Sequence, residues 1–459
     1  MNRPLLARLM LSISLVTLML VGSTWSGCTA QVNPTATPTK TPTNIPTSTL
    51  TPTVTATWTP TPTPLPNTPT PAPTATEIQV AAVTPTFTHT PEPTMTSTLT
   101  PTAEIVVQQP AAKAVVAPTA TLQPAPPSGA MPAPVPMGGD VNPLTGLKVN
   151  PANLNRRPLG VRIPNFPVDA RPQSGLSLAD VVIEHETEAF LPRLTAIFWA
   201  NDVSLLGPIR SLRLPDGEWM PIFKSILVAS GGHPGVKVRI TQGKSWAIGY
   251  QRIICPEDPF TDGGAEYRMP EKKARYELTM YSDTARLWSV ASARGINQRP
   301  DFHNMFVFSD TPPGGGRDAT HLKIVYKANY AVAEYRYDAA TRTYKRFDLG
   351  VPTVDELTGK QIAPANVIVL FANHYNSDIL TDTHDPNNPY YAVVIEVWGQ
   401  GAAKLMRDGK VYDVRWMRQN AQREDDRLIF VDDQGNQVPF RPGQTWIQVV
   451  RLDANLTID

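Results

Sequence analysis

Apolar and polar positions follow three different rules along the 459-residue chain. Leu9 to Val21 is a largely apolar run behind Arg3 and Arg8. From Gln31 to Met137 threonine and proline alternate, as in Thr59-Pro-Thr-Pro-Thr-Pro64, with almost nothing that could form a core. From Asn142 onward, apolar runs of strand length recur between turn-forming residues. Leu159–Ile163, Asp180–Glu184, Leu194–Trp199 and Ser225–Ala229 are expected as strands, and Met220–Phe223 and Glu271–Ala293 as helical. In the latter, Ala274, Leu278, Tyr281, Ala285 and Trp288 recur at helical spacing and Gly295 supplies a stop. After His321 the period becomes that of strands: Leu322–Tyr326, Ala331–Tyr337, Tyr344–Phe347, Asn366–Phe371, Tyr391–Val397, Val411–Trp416, Leu428–Val431 and Trp446–Val450. The expected fold class is α+β, with an α/β-textured N-terminal domain (140–313) and a β-rich C-terminal domain (317–459). The hinge falls at Pro312-Pro-Gly-Gly-Gly316.

The apolar run with its basic flank is too short to span a bilayer, which takes about 20 residues. It leads through Trp25-Ser-Gly27 into Cys28. That order reads as a signal peptide (1–27) ending at a lipoprotein processing site, with Cys28 lipidated and inserted in the membrane. The alternative is a plain cleaved signal with an incidental cysteine. Residues 28–139 hold half of the 48 prolines, 24 lying between Gln31 and Met137. A segment this poor in apolar residues cannot offset the entropy of folding and is expected to be a disordered stalk. In polyproline II it would reach on the order of 100–300 Å. Its threonines are candidates for O-glycosylation.

Of the 41 Lys and Arg residues, Arg3, Arg8, Lys40 and Lys113 precede Asp140; of the 40 Asp and Glu, only Glu77, Glu92 and Glu104 do. The head is therefore balanced, 37 against 37, which argues against a nucleic-acid binder that relies on phosphate attraction. With Cys28 lipidated, Cys255 is the remaining thiol, so the head has no internal disulfide, and Cys255 reads as a small buried residue.

Candidate chemistry concentrates in the first half. Gly207-Pro-Ile-Arg-Ser-Leu-Arg213 carries Arg210 and Arg213 three apart, with Ser211 between them, and Arg162 and Arg193 sit at strand edges nearby. Guanidinium forks suit carboxylate or phosphate, so Arg162, Arg193, Arg210, Ser211, Arg213 and His233 form the expected ligand-binding set. The alternative is an internal ion network with Glu184, Glu186 or Glu188. His233, in Gly231-Gly-His-Pro-Gly235 after a strand, is placed for acid–base work. With Ser211, Glu184 or Glu188 it would make an envelope hydrolase or transferase. If the strand continues past Glu186, Glu184, Glu186 and Glu188 share one face and His185 takes the other, so no metal site is expected there. No cofactor is expected either. His303 could meet His233 in space. His374, Asp378, Asp382, His384 and Asp385 read as a solvated polar loop between two strands.

The order of Asn142-Pro-Leu-Thr-Gly146, Arg157-Pro158, Arg171-Pro-Gln-Ser-Gly-Leu-Ser177, Ala179-Asp180, Gly207-Pro-Ile-Arg-Ser211 and Gly231-Gly232 resembles the YerB-like lipoproteins. So do Arg299 with His303-Asn304, Tyr335–Gly350, Thr358-Gly359, Ala365-Asn-Val367 and Trp446-Ile-Gln448. The resemblance covers residues 142 to 455. It implies a two-domain head of unknown function on a lipid anchor, at the extracytoplasmic face of the cytoplasmic membrane. It carries over no catalytic role. Where that family tends to have Pro-His-x-Asp, this chain has Pro352-Thr-Val-Asp355, and Ile163-Pro-Asn-Phe166 lacks an acidic residue before the asparagine. The leading expectation is a tethered receptor for an anionic envelope component such as a cell-wall polymer. The others are the enzyme built on His233, and a structural or assembly factor that docks an envelope protein.

Overall fold

A computed structural model describes residues 131–459, apart from 243–248, 273, 303, 328, 383–388 and 419–426. The described residues all belong to one compact unit, Lys113–Asp459. Cys28, the signal and most of the stalk lie outside them, as do His303, His384 and Asp385.

The first half contributes β1 (Leu159–Pro164), β2 (Val181–Glu186), β3 (Pro192–Phe198), α1 (Asp216–Phe223), β4 (Ile226–Val228) and α2 (Pro234–Thr241). These are followed by β5 (Ile253–Ile254), β6 (Tyr267–Arg268), β7 (Met280–Tyr281) and α3 (Thr284–Ala293). The second half is built of strands: β8 (Arg317–Asp318), β9 (His321–Lys327), β10 (Ala331–Asp338), β11 (Thr343–Asp348), β12 (Val351–Pro352) and β13 (Asn366–Phe371). Then come β14 (Asn373–Asp382), β15 (Tyr390–Glu396), β16 (Gly399–Arg407), β17 (Lys410–Arg418), β18 (Ile429–Val431), β19 (Thr445–Val450) and β20 (Asn455–Ile458). Among the described residues no helix follows α3, and no helix is long and apolar enough to cross a membrane. The head is α+β, as its residue pattern predicts.

The two halves are joined through one mixed sheet of eleven strands, in the order β18-β17-β16-β13-β19-β2-β3-β1-β4-β5, with β8 on β17. The seam is parallel: β19 lies beside β2, with Trp446 opposite Val182 and Ile447 opposite Ile183. A five-stranded sheet, β12-β11-β10-β9-β20, forms a second layer.

Both faces of the large sheet are covered, so its central strands are buried throughout. Strand alternation divides their side chains between two cores. Val181, Ile183, Ile197, Ile447 and Val449 pack with Trp219, Met220 and Phe223 of α1 and with Val236 and Ile240 of α2. Val161, Val182, Ala196, Val369 and Trp446 pack with Ile324, Ala333 and Tyr335 of the small sheet and with Leu287, Trp288 and Ala291 of α3. Gly160 faces α1: a Cβ there would lie 2.6 Å from Met220 Cε.

Four expectations are corrected. The helix expected over 271–293 exists only from Thr284, because Asp283 accepts the N–H of Arg286 and caps it there. Upstream, among the described residues, the chain forms only short 3-10 turns at Pro270–Lys272 and Tyr276–Leu278, and Leu206 and Ser282 pair across the chain, which leaves Met280–Ser282 extended. The polar loop around His374 and Asp378 is instead β14, a ribbon strand paired only with β15. Because β14 packs in no sheet layer, its alternation is weak. The last stalk residues lie on the head: Met131 packs on Met417, Ile429 and Val431, and Arg427 donates to the Pro132 carbonyl at 2.7 Å. Lastly, Arg162 does not face a ligand, as the site geometry makes plain.

Candidate functional site

Four arginines gather on the α1 side of the large sheet, where the ends of β1, β2 and β3 meet the loop before α1. Arg162 is the innermost and is fully buried. It pairs with Asp216 at 3.3 Å and donates to Thr195 Oγ1 at 2.6 Å and to His185 Nε2 at 2.8 Å. A guanidinium can only donate, so His185 Nε2 must accept and Nδ1 carries the proton, donating to the Glu186 carbonyl at 3.0 Å. Burial, reinforced by the Arg162 charge, holds His185 well below the usual histidine range. Arg162 is thus committed to the internal network, and the ligand set loses it.

The other three open onto a cavity of about 280 Å³, lined by Phe166, Pro192, Arg193, Arg210, Arg213, Glu188, Asp382 and Tyr390 among others. Arg210 is fixed through its backbone: its N–H donates to the Arg162 carbonyl and its own carbonyl accepts from Ser230, both at 2.9 Å. Leu212 N–H reaches the Gly231 carbonyl at 3.0 Å, so the Gly231-Gly232 turn holds the arginine loop from behind. Gly231 and Gly232 have φ of 78° and 159°, and a Cβ on Gly232 would lie 2.8 Å from Leu212 Cγ. Arg213 Nε pairs with Glu188 Oε2 at 2.7 Å. Among the described residues the Arg193 guanidinium donates only through Nη1, to the Ser211 carbonyl at 3.4 Å.

Two ion pairs, Arg162–Asp216 and Arg213–Glu188, therefore sit beside two arginines, Arg193 and Arg210, that have no carboxylate within 4 Å among the described residues. Burial lowers the basicity of Arg193 strongly, and Arg213, Arg210 and Arg162 add repulsion that Glu188 offsets only in part. Arg210 is lowered by burial and by Arg213. Its Nε is buried without a hydrogen-bond partner. Burial would raise the Glu188 carboxyl, but Arg213 and Arg193 outweigh it and hold it below the usual range.

The remaining candidates go elsewhere. His233 caps α2, its Nδ1 accepting the N–H of Gly235 at 3.2 Å. Glu184 points to the opposite face of the sheet, into a polar core between the two layers. There it meets Arg346 at 2.9 Å and accepts from Gln448 Nε2 at 2.7 Å, Asn165 Nδ2 at 3.1 Å and Trp446 Nε1 at 3.2 Å. Arg346 also binds Asp348 at 2.8 Å and Tyr335 Oη at 2.6 Å. Glu186 pairs with Arg451. No hydrogen bond joins any two of His233, Ser211, Glu184 and Glu188 among the described residues, so the proton relay that an enzyme on His233 would need is not assembled. Among the described residues no group of three His, Cys, Asp or Glu is placed to hold a metal ion. Cys255 is buried and accepts the Gly231 N–H at 3.2 Å, and burial pushes its thiol up to about 11.

Sequence reasoning missed Phe166 and Tyr390 and read Asp382 as part of a solvated loop; chain folding alone brings all three to the pocket. It also missed Arg346, Asp348 and Gln448. It also left Asp355 without a role. That carboxylate is buried and accepts N–H groups from Gly175, Ser177 and Leu357, clamping the Arg171–Ser177 segment onto the second half.

Two family models match the chain: protein of unknown function (DUF3048), N-terminal domain, over residues 144–297, and its C-terminal domain over residues 322–447. The chain is similar to the putative lipoprotein YerB of Bacillus subtilis (strain 168), with 32% identity over 316 residues, 68% of this chain and 87% of that protein. It is also similar to the crystal structure of YerB protein from Bacillus subtilis, with a TM-score of 0.57 and 30% identity over 69% of this chain and 99% of that one. The specific segments seen in the sequence meet in space, Arg171–Ser177 against Asp355–Gly359 and Trp446–Gln448 against Glu184, and this chain belongs to the YerB family of two-part DUF3048 proteins.

Proposed function

We propose that the protein is a lipid-anchored receptor, held at the extracytoplasmic face of the membrane through Cys28, that binds an anionic component of the cell envelope in the Arg193–Arg210–Arg213 pocket. The anchor rests on the residues leading to Cys28 and on the lipoprotein in the name of its relative. The observation that carries the binding reading is the charge left over in the pocket. Arg193 and Arg210 stand close enough to Arg213 to repel it, and among the described residues neither has a carboxylate within 4 Å. Such a cluster is unfavourable when empty and relieved by an anion. Loops anchored to a rigid sheet supply the preorganisation that binding needs.

Titrating the full chain with purified wall peptides and with phosphate-bearing wall polymers tests this. Wild type should bind at least one of them, and Arg193→Gln/Arg210→Gln should lose that binding with its melting temperature preserved. Equal binding by the double variant would refute the assignment.

A second reading has its own observation. Val168, Leu349, Val351 and Val354 are exposed around a separate cavity of about 380 Å³ at the β11–β12 turn. An apolar rim of this kind suits a protein partner and an assembly role. Photo-crosslinking from position 351 in membranes distinguishes it by capturing one discrete partner.

A further inference from the structure

The arginine pocket is not uniformly cationic. Glu188 Oε1 is buried with no hydrogen-bond partner among the described residues, while Oε2 takes the Arg213 pair. Opposite in character, Arg210 Nε is a buried donor that also lacks a partner among the described residues. Both residues line the same cavity, and a buried acceptor and a buried donor left unmatched each cost free energy.

The backbone that presents Glu188 is strained. Ala189 and Phe190 both have φ of 61°, in the left-handed region that side chains other than glycine's rarely adopt. The turn is closed by Thr187, whose N–H and hydroxyl donate to the Leu191 carbonyl at 2.9 and 2.8 Å, and Lys327 Nζ donates to the Ala189 carbonyl at 3.3 Å. Strain held this way is characteristic of binding sites.

Resting on the anion-pocket reading, we propose that the ligand is a zwitterion, a free amino acid or short peptide. Its carboxylate would lie on Arg193 and Arg210 and its ammonium would pair with the Glu188 carboxylate. A simple polyanion would satisfy the arginines but bring another negative charge against Glu188. An amino carboxylate satisfies both. Size agrees: 280 Å³ is the share of about nine waters, room for the charged end of a small peptide of about ten non-hydrogen atoms. Phe166, Pro192 and Tyr390 supply apolar walls for a small side chain.

Calorimetric titration of the full chain with four probes separates the two layers of the argument. The probes are alanyl-alanine (L,L and D,D isomers), its N-acetyl derivative, its C-terminal amide, and inorganic phosphate. The zwitterion assignment predicts binding of at least one free dipeptide isomer, at least tenfold weaker binding of its N-acetyl form, and no binding of the amide or of phosphate. N-acetyl peptide or phosphate binding as tightly as the free dipeptide would overturn the zwitterion and leave the anion pocket standing. If no probe binds, the zwitterion assignment fails, and the titration with wall peptides and polymers decides the anion pocket separately. Glu188→Gln, which keeps the side chain's size, should bring the free and acetylated affinities together. An unchanged preference in that variant would also overturn the assignment.

Discussion

Replacing Arg346 by methionine should cost the protein a large part of its stability. Arg346 is fully buried between the sheets and is the cation shared by Glu184 and Asp348, themselves buried; it also donates to Tyr335. Removing it strips both carboxylates of their closest positive charge, although Asn165 still bridges them and Arg171 stays 3.8 Å from Asp348. Breaking a buried ion pair from one side costs about 3–5 kcal/mol. Against a total stability of about 5–15 kcal/mol this is about a fifth or more. With a urea m-value of roughly 3 kcal/mol/M, the midpoint should fall by about 1–1.7 M. The pH dependence carries a further signature. Burial would push Asp348 up, and in the intact protein Arg346 and Arg171 overcome this and hold it below the usual carboxylate range. In the variant burial dominates, the folded state takes up a proton more readily than the unfolded chain, and stability declines as pH rises. The deficit should therefore be larger at pH 8 than at pH 5. Urea unfolding at both pH values measures it. A loss under 1 kcal/mol, or one independent of pH, would refute the view that this network locks the two sheets together.

Two further outcomes are expected. Arg213→Ala should lower the melting temperature, because it leaves Glu188 without its ion-pair partner, a loss of about 1–2 kcal/mol; Arg210→Ala breaks no ion pair and should stay within about 0.5 kcal/mol of wild type. His185, buried and held well below its usual value of 6.5, contributes stability that is complete above pH 6.5 and declines as pH falls, because the unfolded chain then binds the proton first. The slope is at most about 1.4 kcal/mol per pH unit, and the difference in urea stability between wild type and His185→Gln should narrow accordingly below pH 6.5.

Much of the site was readable because strand alternation is a local rule. Glu184 and His185 had to face opposite layers, and they do: one enters the Arg346 network and the other meets Arg162 and Trp219. The Gly207–Arg213 loop and Arg193 were also legible, since guanidinium groups near strand ends are conspicuous. That Arg162 belongs to Asp216 was not, because nothing local signals that the start of α1 closes over β1. Strand β16 was missed for a packing reason. It opens Gly399-Gln-Gly-Ala-Ala and lacks the branched residues of a typical strand, because Gly401 lies opposite Trp416 and a Cβ there would come within 2.5 Å of the indole. The over-long helix arose because Tyr281 fits a helical period and equally well the short ribbon in which it pairs with Tyr267.

The most direct test of the account is a crystal structure of the head soaked with a small carboxylate-terminated peptide. The account predicts density for the carboxylate within hydrogen-bonding distance of both Arg193 and Arg210. A peptide bound elsewhere, or a pocket left empty at saturating concentration, would contradict it.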